Sequence, residues 1–79
     1  MKIDVEVSLY PLRTANLSEP IDCFLEQLRE AELEVESGPM SSHIRGECVA
    51  LFRSLGEAFE QSVERGGGVL IVKASNACR

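Results

Sequence analysis

His43, Arg45 and Glu47 alternate along Ser41-Ser42-His43-Ile44-Arg45-Gly46-Glu47, a short stretch that also carries two hydroxyls and follows the turn marker Gly38-Pro39. Strands normally favour β-branched and aromatic residues, so this much polar chemistry in an extended segment is unusual. If Ile44 points inward, period-two alternation projects His43, Arg45 and Glu47 together onto the opposite face. Three kinds of chemistry could use such a face. General base catalysis by His43 would need an orienting partner and a substrate proton within reach, and metal binding would need two or three further ligands at suitable spacing. The sequence displays neither set, so His43 is expected to be solvated or at an interface, with no catalytic residue, metal or cofactor. Cys23, Cys48 and Cys78 have neither the pattern of a disulfide framework nor a C-x-x-C spacing, and are expected to be reduced thiols. The third use, non-covalent binding, competes with a purely structural role in cross-strand charge pairs.

That face has to be positioned by regular elements, and the periodicities supply them. From Lys2 to Tyr10 the residues alternate, Ile3, Val5, Val7 and Leu9 against Asp4, Glu6, Ser8 and Tyr10, which predicts a half-buried strand ended by Pro11. Ser18 is expected to cap a helix whose stripe is Ile21, Phe24, Leu25, Leu28 and Ala31, leaving Cys23 on the far side. Leu33 to Ser37 alternates again and forms a hairpin with the polar strand. A second helix is predicted from Cys48, with Cys48, Leu51, Phe52, Leu55, Phe59 and Val63 on its buried face and Gly66-Gly67-Gly68 as a left-handed cap. On this assignment Cys48 is buried and unreactive, whereas Cys23 and Cys78 react readily. Val69 to Ala74 is a final strand apolar on both faces, which implies a cover beyond the helices.

Strand, helix, strand, strand, helix, strand is the split βαβ order of a ferredoxin-like α+β fold: a four-stranded antiparallel sheet with two helices on one face and the other face open. Residues 1–79 are read as one domain of this kind. A chain so short buries only about 60% of its unfolded surface, so self-association is expected to supplement the core. The net charge of -5, from 8 basic and 13 acidic residues, argues against a nucleic-acid surface. No apolar run approaches a membrane span, and Met1-Lys2-Ile3-Asp4 does not open a signal peptide, so a cytoplasmic location is expected.

Ser8-Leu9-Tyr10-Pro11-Leu12, then Gly38-Pro39-Met40-Ser41-Ser42 running into Arg45-Gly46-Glu47, and finally Ser75-Asn76-Ala77-Cys78, together resemble the small thiamine-binding protein family. The resemblance covers nearly the whole chain through short motifs in order and spacing. It departs at Ser42, where the family pattern favours threonine. It implies a ferredoxin-like domain that binds thiamine or its hydroxymethylpyrimidine moiety without catalysis and assembles through its sheets into dimers or tetramers.

An aminopyrimidine needs a plate to stack on, an acceptor for its amine and donors for its ring nitrogens. Tyr10 could stack, Glu47 or Glu6 accept, and Ser8, Ser42 and Arg45 donate. With the resemblance supplying the ligand class, the expected site is Ser8, Tyr10, Ser42, Arg45 and Glu47 on the open face at a subunit interface, with Asn76 approaching from the tail. Strict alternation turns Ser42 toward the helices, so it can contribute only if its strand begins irregularly. Blander roles exist for each: Tyr10 ending a strand, Glu6 and Arg45 forming a cross-strand ion pair, Glu47 complementing a helix dipole. Two other classes stay open, a small ferredoxin-like enzyme working at a dimer interface and a ligand-sensing regulatory module.

Overall fold

The computed structural model describes residues 1–63 and 66–77. Its elements are β1 (Lys2–Leu12), α1 (Ser18–Glu30), β2 (Glu34–Ser37), β3 (Ser42–Glu47), α2 (Cys48–Ser62) and β4 (Gly67–Ser75). The strands form one antiparallel sheet in the order β2-β3-β1-β4. Alternation works as the sequence implies. Ile3, Val5 and Val7 of β1 and Ile44 of β3 point to the helix layer, where they meet Phe24, Leu25 and Leu28 of α1 and Leu51, Leu55 and Ala58 of α2. Gly46, two residues beyond Ile44, faces this same side, where a Cβ would stand 2.6 Å from Leu33 Cδ2.

Several local expectations give way to tertiary context. Pro11 does not end β1; it pairs with Gly68, and the strand runs on to Leu12. The last β1–β3 pair is Val7↔Ser42, so Pro11 has a strand neighbour on the β4 side alone, and toward β3 there is no ladder for a missing N–H to interrupt. Ser18 does not cap α1. Instead Asn16 Oδ1 accepts from the backbone N–H of Ser18 at 3.0 Å and of Glu19 at 3.4 Å. The glycines after α2 are not left-handed caps either, since no described glycine has a positive φ. Gly67 and Gly68 belong to β4, and Gly66 precedes it, with the backbone oxygen of Leu12 only 2.8 Å from where a Cβ would be.

In α2 the buried stripe is Leu51, Leu55 and Ala58, while Phe52 is 45% exposed. The helix packs on α1 as well as on the sheet, and the small Ala58 gives both layers a shared face that Phe52 would hold apart. Cys48 consequently opens the helix at its edge and is only half-buried, not central to the stripe; Cys23 is half-buried beside Gln27, whose Nε2 donates to its Sγ at 3.2 Å. Cys78 lies outside the described residues. β4 carries exposed Val69, Ile71 and Val72 on its two faces, because the helices cover the other strands. Among the described residues no helix is long and apolar enough to cross a membrane.

Candidate ligand-binding face

The open face is read row by row across the strands. Glu34, Arg45, Asp4 and Ser75 make one row, and Glu36, His43, Glu6 and Lys73 the next. Ser8 then faces Ile71, and Tyr10 faces Val69. Carboxylates flank Arg45 in the first row, and Glu6 lies between His43 and Lys73 in the second. Arg45 Nε donates to Asp4 Oδ1 at 3.0 Å and its Nη2 to Asp4 Oδ2 at 3.4 Å, and Lys73 Nζ stands 3.6 Å from Glu6 Oε1. The cross-strand pair of Arg45 is therefore with Asp4, not Glu6, because the register sets Glu6 opposite His43. Ser41 Oγ donates to Glu6 Oε2 at 3.0 Å, and this bond, helped by the charge of Lys73, holds the Glu6 carboxyl below its ordinary range. His43, Arg45, Asp4 and the β2 glutamates line an open hollow of about 620 Å³. Among the described residues no cluster of His, Cys, Asp and Glu could hold a metal ion.

The six residues expected from sequence separate into two groups. Glu47 lies at the far end of the sheet, where the α-ammonium of Met1 meets its Oε1 at 2.8 Å and holds its carboxyl below the usual range. Asn76 is at that end too, its Nδ2 donating to Met1 Sδ at 3.4 Å, and Arg45 is one row further in. Tyr10 is at the other end. Lys2, the partner of Glu47, is eight residues from Tyr10 along β1, about 27 Å at the rise of an antiparallel strand. One small molecule on one subunit cannot touch both Glu47 and Tyr10, while Arg45, opposite Asp4, is four residues from the Ser8 row.

Tyr10 is 50% exposed between the exposed Val69 and Ile71, an apolar surface where the rest of the face is charged. Ser8 stands beside it, and its Oγ donates to the backbone oxygen of Met40 at 3.5 Å. Ser42 points to the helix side and is 9% exposed, since β3 begins regularly at this residue. Yet Ser8 and Ser42 line one cavity of about 120 Å³, closed by Phe24 and the turn through Met40. The cavity exists because β1 outruns β3. Ser8 to Leu12 pair with β4 alone, which leaves the β3-facing backbone edge of this stretch without a strand partner. Sequence reasoning missed that edge, although Pro11 inside an alternating run was its signal. The hydroxyl of Ser41 was missed as well.

Strand order, antiparallel pairing and two helices on one side define a ferredoxin-like α+β domain. Residues 5–74 match the thiamine-binding protein family, and the chain belongs to it. None of the curated proteins matches it. Solved structures similar to it include a hypothetical protein from Methanocaldococcus jannascii, 23% identical with a TM-score of 0.88 over 98% of this chain and 81% of that one. A domain of unknown function from Bacillus cereus is 18% identical, with a TM-score of 0.82 over 95% of this chain and 75% of its own. A protein from Thermotoga maritima, assigned provisionally to thiamine biosynthesis or salvage, is 24% identical with a TM-score of 0.79, covering 95% and 83%. At these identities the likeness is one of fold.

Proposed function

We propose that the chain is a non-catalytic binding protein for thiamine or its hydroxymethylpyrimidine moiety, acting in the cytoplasm as a self-associated assembly. The observation that carries the site is the overrun of β1 past β3. It sets Ser8 and Ser42 around one cavity beside an unpaired strand edge, with Tyr10 two residues beyond Ser8 on the open face and outside the cavity lining. The ring supplies the stacking plate, and the free edge offers a backbone donor and acceptor side by side, the pattern that an amidine-like N=C–NH2 edge complements. A cavity of about 120 Å³ suits one small ring, being well below the ~300 Å³ at which pockets for drug-sized ligands begin. For thiamine, the cationic thiazolium would lie toward Glu6 and Glu36, along a face rich in carboxylates.

Glu47 and Asn76 can join this ligand only from a second subunit. A two-fold axis that stacks two open faces end over end would bring one copy's Glu47 end onto its partner's Tyr10 end, and the site would then lie at the interface. Exposed Val69 and Ile71 give such an interface apolar contacts at its Tyr10 end. Isothermal titration with hydroxymethylpyrimidine, thiamine and thiamine diphosphate, followed by product analysis, tests the reading. Saturable binding of the unphosphorylated compounds with recovery of unchanged ligand is expected. Absence of binding by all three, or conversion of any, would overturn it.

A further inference from the structure

At the end of the domain opposite the Met1–Glu47 pair, β1, the start of α1, the end of α2 and the start of β4 enclose a cleft of about 420 Å³. Arg13 is the one cation among its described lining residues. Its φ of 56° lies in the left-handed region that side chains other than glycine rarely adopt, and such strained residues cluster at ligand sites. Its guanidinium is seated against the start of β4, where a Cβ on Gly67 would stand 2.5 Å from Nη2 and 3.3 Å from Cζ. The absence of a side chain at Gly67 leaves room for the guanidinium in this position, and a Cβ there would push it aside. Among the described residues no carboxylate pairs with it; the ion pairs there are Met1–Glu47, Arg45–Asp4 and Lys73–Glu6. The neighbouring α1 N-terminus is already occupied, since Asn16 Oδ1 takes the Ser18 and Glu19 amides. An anion entering the cleft would therefore find Arg13 as its fork-shaped donor. Leu12, 44% exposed, and Pro20 provide an apolar wall beside it, and Glu19 opposes a second negative charge.

We infer that this cleft is a binding site for a small monocarboxylate with an apolar body, its carboxylate on Arg13 and its hydrocarbon on Leu12 and Pro20. The site is separate from the pyrimidine corner and does not depend on it. Amide correlation NMR spectra of the full chain, titrated with isovalerate, acetate and inorganic phosphate at fixed ionic strength, test it. Saturable shifts at Thr14, Gly66 and Gly67 are expected with isovalerate, at a concentration several-fold lower than with acetate or phosphate. Arg13→Gln should weaken them at least tenfold, while Arg29→Gln, on the exposed side of α1, leaves them intact. Arg13→Gly should abolish them and raise the melting temperature, because glycine accepts the positive φ freely. Shifts that fail to saturate, survive Arg13→Gln, or saturate with phosphate alone would overturn the assignment.

Discussion

Ser41 donates its hydroxyl hydrogen to Glu6 Oε2 at 3.0 Å, fastening the turn before β3 to the middle of the open face. This bond is the chief cause of the lowered Glu6 pKa, with Lys73 second. A carboxyl whose folded pKa is depressed contributes stability above its unfolded value and loses it as pH falls through the folded value. The Glu6 contribution is therefore present above the ordinary 4.5 and disappears below it. Ser41→Ala is expected to return the Glu6 pKa toward 4.5, measured by carboxyl NMR titration. An identical titration curve in the variant would show that the hydroxyl does not hold this carboxylate.

Tyr10→Ala should leave the fold intact, because the side chain is half exposed and its strand is held by β4. Loss of the stacking plate is expected to weaken hydroxymethylpyrimidine binding by about 1–3 kcal/mol. Calorimetric titration of the folded variant measures this, and unchanged affinity would move the ligand away from this corner.

Val69 and Ile71 stand exposed on a strand whose outer edge no other strand covers. A charge at Ile71 should oppose any pairing of faces or edges. The wild-type chain is expected to sediment as at least a dimer at micromolar concentration and Ile71→Glu to shift it to monomer. A wild-type monomer would remove the shared-interface site.

A methyl group at Gly46 would force Leu33 to shift, since Leu33 Cδ2 would lie 2.6 Å from its Cβ. Overpacking of this kind costs about 1–3 kcal/mol. Urea denaturation of Gly46→Ala should show a lower midpoint at unchanged slope.

Glu32 ends α1 with φ at 64°, its N–H donating to the Arg29 oxygen at 3.0 Å while Leu33 N–H donates to that of Leu28 at 3.4 Å. This is the Schellman closure, where glycine is the preferred residue. Glu32→Gly should therefore stabilise the protein by up to about 1 kcal/mol, as the left-handed conformation costs other residues about 1–2 kcal/mol and glycine's freer unfolded chain offsets part of that gain. A lowered thermal midpoint would contradict it.

Alternation along Ile3-Val5-Val7 and the polar positions between them determined β1 and its two faces by itself, because a period of two is local and leaves one solution when one face must be buried. The helices were legible for the same reason, and the order of elements then limits the topology to few choices. The inward side of α2 was legible through Leu51 and Leu55, but the edges of its stripe were not. Phe52 and Ala58 compete for the core, and the outcome depends on how close α1 must come. The fate of Pro11 and of Gly66-Gly67-Gly68 was likewise undecided by sequence, since proline and glycine mark breaks unless a neighbouring strand ends early or another backbone approaches closely, as Leu12 does at Gly66. Ser8, Tyr10, Arg45 and Glu47 share the open face as their spacing implies. Their division between two ends about 27 Å apart came from the length of β1, which alternation along a strand cannot reveal.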